Sequence, residues 1–326
     1  MRIDRESRTA RATVVAFAIG LLGAVGLLAG ATTSAAVADG VSHNWTVLAG
    51  SQSADGSITG ARFLPGEIWI DQGDTVTWAA NSVEPHTVTF FPGDGAPTGP
   101  FNPGDPAQVT RQGSGAVDGT YQNSGVLTTV PTGQDFGPFP PFVTPYQDYT
   151  LSFPGTGDFD YYCLVHGVMM KGTVHVAPAG TAYPFTQAQY DAQAASQARA
   201  IRLDGNRLRA HALSEASQHR VMVGADDGKA MVMRFLRPSV TVHVGDTVVF
   251  DNSMSMGPHT VTFGEEPVGA GLETYLPAAS YGGGDLNSFL PPGLNFAVTF
   301  THPGIYPYIC ALHDVQGMVG RVIVRP

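Results

Sequence analysis

The chain contains two cysteines, and each sits in nearly the same company. Cys163 lies in "YYCLVHGVMMKG", residues 161 to 172, followed by His166 and then by Met169 and Met170. Cys310 lies in "YICALHDVQGMVG", residues 308 to 320, followed by His313 and then by Met318. Each also has an upstream histidine in a shared "PHTVTF", His86 for the first and His259 for the second. Two imidazoles, a thiolate and a thioether are the donor set of a blue copper electron-transfer centre, because soft sulfur with imidazole suits both oxidation states of copper. Two sets of metal ligands are expected: His86, Cys163, His166 and Met170, and His259, Cys310, His313 and Met318. In an oxidising compartment the usual alternative for two cysteines is a disulfide. Equivalent positions in two separately packed domains, however, lie well beyond the ~7 Å limit on Cα separation for a bridge.

The spacing states what the backbone must do. A strand end fixes the thiolate, a tight turn brings round the histidine at +3, and the methionine approaches just before the next strand resumes. The remaining histidine has to arrive from a different strand, which makes the site rigid.

Those strands are visible as a repeat. Residues 43 to 90 and 219 to 263 share a first strand, "RFLP" or "RFLRP", an alternating strand, the turn "GDTV", and "PHTVTF". The ends agree as well, "FDYYCLVHGVMMKGTVHVAP" against "YPYICALHDVQGMVGRVIVRP". Self-similarity of this length means two copies of one domain. Alternations such as Ile68-Trp69-Ile70 and Val240-Thr241-Val242-His243-Val244, bounded by Gly, Asp and Pro, predict short strands of an antiparallel sandwich. The 40 Gly, 24 Pro and 13% charged residues in 326 fit such a β-rich, turn-rich chain. The expected fold is all-β, two tandem Greek-key β-sandwich domains over 39–180 and 219–326. Between them, 181–218 is rich in Ala, Gln and Arg and predicts a helical linker of one or two helices, with Asp204-Gly205-Asn206 as a break. The first copy also carries a Gly/Pro-rich insertion over about 92–145, long enough to be either functional or mobile.

At the N-terminus, Arg2, Arg5, Arg8 and Arg11 precede an uncharged apolar run and the small residues "SAAVADG". That layout predicts a secretory signal peptide over 1–38, cleaved after Ala36-Val37-Ala38, and so a secreted or extracytoplasmic protein, in the periplasm or at the cell surface. A membrane contact follows only if the segment stays uncleaved. Removing it takes away four Arg and two acids, leaving 13 basic and 25 acidic side chains, a formal charge of −12. Such a surface repels nucleic acid and favours basic partners.

Both copies resemble cupredoxins of the plastocyanin and amicyanin kind, with C-x-x-H, a downstream M-x-G and an asparagine upstream of the P-H pair. The resemblance covers roughly 43 to 178 and 219 to 326. It departs in two places: the first loop is one residue shorter, so either Met169 or Met170 could be axial, with alignment on the following glycine favouring Met170; and Asn252 sits seven residues before His259, where Asn81 sits five before His86. The resemblance implies two coppers per chain and redox partner proteins that dock near His166 and His313.

Three function classes compete. The first is an electron carrier with no catalytic copper of its own. The second is a copper enzyme of the two-domain oxidase or nitrite reductase kind, which would need His-x-His pairs or a histidine beside the cysteine. None of the ten histidines stands two residues from another, and Tyr162 and Ile309 precede the cysteines. His43, His175, His211, His219, His243 and His302 have no assigned role. The third class is copper storage or delivery, suggested by Met254 and Met256 near the second site and by Met169 and Met170 near the first.

Overall fold

The computed structural model describes residues 41–93, 95–134, 136, 139–267 and 272–326. The expected signal peptide lies outside the described residues. In the first repeat, Trp45, Val47 and Ala49 point inward from the strand Asn44–Gln52, and Val76 and Trp78 do so from Thr75–Ala80. This is the two-residue periodicity of a strand with one buried face. Trp78 is fully buried and meets Tyr161 edge-on, their rings 5.1 Å apart. Phe250 and Tyr308 repeat that contact in the second half at 4.9 Å.

The sandwiches are not separate beads. A nine-stranded sheet runs through both, in the order Ala278–Tyr281, Asn295–Phe300, Thr247–Asp251, Arg220–Asp226, Ala230–Leu236, Ile58–Leu64, Asn44–Gln52, Thr75–Ala80 and Asp148–Ser152. The seam is the antiparallel pairing of Ile58, Thr59 and Gly60 with Val232, Met231 and Ala230. Each repeat adds a second sheet of its own. In the first, Glu67–Asp71, Gly167–Ala177, Gly157–Cys163, Thr89–Phe90, Gln122–Ser124 and Arg111–Gln112 lie side by side. In the second, the order is Ser239–His243, Val319–Arg325, Gly304–Ile309, His259–Phe263 and Leu286–Leu290. Edge-to-edge pairing hides strand edges that would otherwise invite aggregation.

The linker forms one helix, Gln187–Glu215, of 29 residues, opened by a capping box between Thr186 and Gln189. The expected break at Asp204-Gly205-Asn206 is not there. The helix lies over the seam, and Gly205 is the point of closest approach: a Cβ at that position would fall 2.4 Å from Ile58 Cγ2. Glycine serves packing here and does not stop the helix. Tyr190 anchors the first turns, its hydroxyl accepting from Trp69 N–H at 2.8 Å and donating to Trp69 O at 3.2 Å.

The described part of the insertion packs against the site. Val109, Val126, Val130, Phe136 and Val143 form a small core of their own, with Val83 packed on it. Leu127 exchanges both backbone hydrogen bonds with His86, and Thr128 Oγ1 donates to Val83 O at 2.7 Å.

Candidate metal centres

Each cysteine ends up where its strand closes, and the upstream histidine reaches it from a neighbouring strand. Cys163 Sγ lies 3.4 Å from His166 Nδ1 and 3.9 Å from His86 Nδ1. Cys310 Sγ lies 3.4 Å from His313 Nδ1 and 3.7 Å from His259 Nδ1. Within each group the donor atoms all fall within 4.8 Å of one another. Met170 and Met318 are fully buried in the same clusters as their cysteines, whereas Met169 is 43% exposed. His43, His175, His211, His219, His243 and His302 enter neither group; His175, for example, is held by Asp158 at 2.7 Å and stacks on Trp69.

Residues that the sequence reading did not single out hold these donors in place. Ser82 Oγ donates to Glu84 O at 3.1 Å and lies 2.9 Å from His86 Nε2. With its one proton directed at a carbonyl, the hydroxyl has to accept from Nε2–H, which leaves Nδ1 as a lone pair facing the thiolate. Ser255 does the same for His259, at 3.1 Å. Thr87 N–H donates to Cys163 Sγ at 3.4 Å, and Thr260 N–H to Cys310 Sγ at 3.3 Å. The two threonine hydroxyls accept from Leu164 N–H and Ala311 N–H, each at 2.7 Å, pinning the chain just after the cysteine. A serine four residues before each upstream histidine, Ser82 before His86 and Ser255 before His259, is a shared feature of the repeat.

Two glycines make room for the rings. Gly50 (φ +78°) would place a Cβ 2.2 Å from His86 Nε2, and Gly224 (φ +74°) would place one 2.7 Å from His259 Nε2. A side chain in either position meets both the ring and a left-handed backbone. The asparagines do different work. Asn81 Nδ2 donates to Gly50 O at 3.1 Å, while Asn252 Nδ2 spans to Gly257 O and Leu290 O, bracing the longer segment before His259.

Electrostatics prepare the sulfur for metal. Burial pushes the Cys163 thiol up, but the His166 and His86 imidazoles outweigh it and bring it down to about 5. Cys310 is likewise held well below the ordinary thiol range, by His313 and His259 against burial. His166, which burial would lower, is raised to about 10 by Cys163 and Glu84. In the metal-free first site the Cys163–His166 contact therefore favours the charged form of each partner, against burial. Metal binding requires the ring to be neutral and the sulfur to be a thiolate.

Copper fits this arrangement. A thiolate with two imidazoles, enclosed in a core cluster that also holds a buried methionine, is a soft, compact set with no hard carboxylate among its donors. Hydrogen bonds to the sulfur and to the outer ring nitrogen restrain the donors from shifting.

A family model described as copper binding proteins, plastocyanin/azurin family, matches residues 51–177 and again 219–325, well over half of the chain. The chain belongs to this family. Plastocyanin from Rumex obtusifolius is 33% identical over 105 residues, covering 32% of this chain and 98% of its own length. The chloroplastic plastocyanin of Tetradesmus obliquus is 36% identical over 151 residues, covering 46% of this chain and 94% of its own length. Among solved structures, a mutant of amicyanin in its Cu(I) form matches with 27% identity over 35% of this chain and 90% of that one, with a TM-score of 0.23. As a cupredoxin with two sandwiches, the protein has copper as its cofactor and two His/Cys/His sites to hold it.

His166 and His313 are largely but not wholly buried, and their loops are tied to the opposite repeat. Arg62 Nη1 donates to Met169 O at 2.7 Å in its own repeat and to Gly228 O at 2.8 Å in the other. Arg234 mirrors it, donating to Gln316 O at 2.7 Å and reaching Asp55 O across the seam.

Proposed function

We propose that the chain is an extracytoplasmic electron carrier with one type 1 copper in each of two cupredoxin domains, 39–180 and 219–326. The ligands would be His86, Cys163, His166 and Met170 in the first, and His259, Cys310, His313 and Met318 in the second. The observation that carries this reading is the closed donor group around each buried thiolate, with Nδ1 of both rings turned to the sulfur and a backbone N–H bonded to it. A metal held by a prearranged frame changes charge with little movement of its surroundings, which is the requirement for fast electron transfer. The burial of Met170 in the same core cluster as Cys163 supports it as the axial ligand over the exposed Met169. The "SAAVADG" segment supports export, and the relatives' plastocyanin name supports the carrier role.

Partners would be redox proteins with a basic surface. Val168, Met169, Met256, Val315 and Val319 are exposed around the two loops, at 60%, 43%, 48%, 38% and 49%, and supply the apolar contact near His166 and His313. The test is spectroelectrochemistry of the copper-loaded chain. A carrier shows an intense thiolate-to-copper band that bleaches and returns reversibly with two electrons per chain. A colourless protein that surrenders Cu(I) readily to a chelator would mark a delivery protein instead.

A further inference from the structure

Where the first repeat has Glu84 before Pro85-His86, the second has Gly257 before Pro258-His259. Glu84 is 5% exposed, and its carboxylate faces both repeats. Oε1 lies 3.6 Å from His166 Nε2 in the first site. Oε2 accepts from Nε2 of Gln316, which is also 5% exposed and stands in the ligand loop of the second site, between His313 and Met318. Among the described residues Gln316 Oε1 has no hydrogen-bond partner, so the bond to Glu84 is what orients that amide. Taking a carboxylate out of water is costly unless charge and hydrogen bonds compensate it, and here the compensation comes from both sites.

We propose that Glu84 is a positioning residue shared by the two metal centres, holding His166 of one and, through Gln316, the ligand loop of the other, so that the two behave as a coupled pair. The inference rests on each donor group holding copper. One buried negative charge between two centres favours the more positive, oxidised state of both. It acts most strongly on the first, where it faces a ligand ring directly. By linkage, whatever the first centre does to the field at the second, the second does equally to the first.

The test reads each centre from the residue that belongs to the opposite repeat. In a Cys163→Ser background, which isolates the second centre, Glu84→Gln should move that centre's reduction potential upward, shifting its balance of reduced to oxidised copper by a factor of roughly 5–150, the ordinary size of a coupling between sites. In a Cys310→Ser background, Gln316→Leu frees the carboxylate from its second-repeat partner and should lower the potential of the first centre. Should Glu84→Gln lose copper or fail to fold, Gln316→Leu still decides, because it leaves every proposed ligand and the buried charge in place. Copper bound with an unchanged potential at the distant centre would overturn the proposal. Copper content of the unaltered chain reports separately on whether the donor groups hold metal at all.

Discussion

The first and second centres differ far less in their inner frame than in what surrounds it. Both set a serine four residues before the upstream histidine, a threonine directly after it, and a left-handed glycine beside its ring. Both use the arginine of "RFLP" or "RFLRP" to tie their own loop to the opposite repeat. Outside that frame they diverge: the first has a shorter loop, a buried carboxylate and an insertion whose core braces Val83, while the second has Gly257 and a short helical turn, Asp314–Gln316. Duplication has kept what fixes ligand geometry and changed what sets the local field. Two sites with one coordination chemistry and two electrostatic settings are the expected result.

The largest way to probe that equivalence is to remove one thiolate at a time. Cys163→Ser and Cys310→Ser should each reduce copper from two equivalents to one and remove the matching share of the visible band, measured by metal analysis and absorption. Loss of both coppers from either change would show that the centres do not form independently.

Glycine replacement follows in size. Gly50→Ala and Gly224→Ala should each cost about 1–3 kcal/mol for the left-handed backbone alone, with a further loss from the displaced ring. The 2.2 Å approach at Gly50 makes it the more damaging of the two. Denaturant titration of the metal-free chain, with copper retention at the affected site, measures both parts.

A matched pair of serine changes sharpens the comparison. If the inner frames are equivalent, Ser82→Ala and Ser255→Ala should weaken copper binding by similar factors, about 10–100-fold, typical of losing a partner that orients a ligand. Competition with a chelator reads the two affinities. A large effect at one site with none at the other would break the equivalence.

The smallest effect separates neighbouring methionines. In the Cys310→Ser background, Met170→Leu should raise the first centre's potential while copper stays bound, and Met169→Leu should leave it in place. Voltammetry of the two variants decides between them.

What could be read in the sequence follows from the reach of each interaction. The proposed ligands stand out because they fall in two short segments of each copy and the copies repeat them; a duplicated pattern is its own control. Ser82 and Ser255 are equally repeated, yet spacing alone does not show that a hydroxyl faces Nε2 and not solvent. Glu84 could not be read, since its partner Gln316 lies 232 residues away. The shared sheet was hidden for a similar reason: the repeated segments Ile58–Leu64 and Ala230–Leu236 suit buried strands, but their residues do not say which edge is paired. Gly205 was misread as a break because the cause of a helical glycine, the side chain of Ile58, belongs to a different element.

The central claim, two type 1 centres built by one duplicated frame, is tested most directly by counting copper per reconstituted chain together with its electron spin resonance spectrum. Two equivalents, both with the narrow copper hyperfine splitting that a short thiolate bond produces, is the expected result. A single equivalent, or a spectrum with the wide splitting of copper held by nitrogen and oxygen alone, would contradict it.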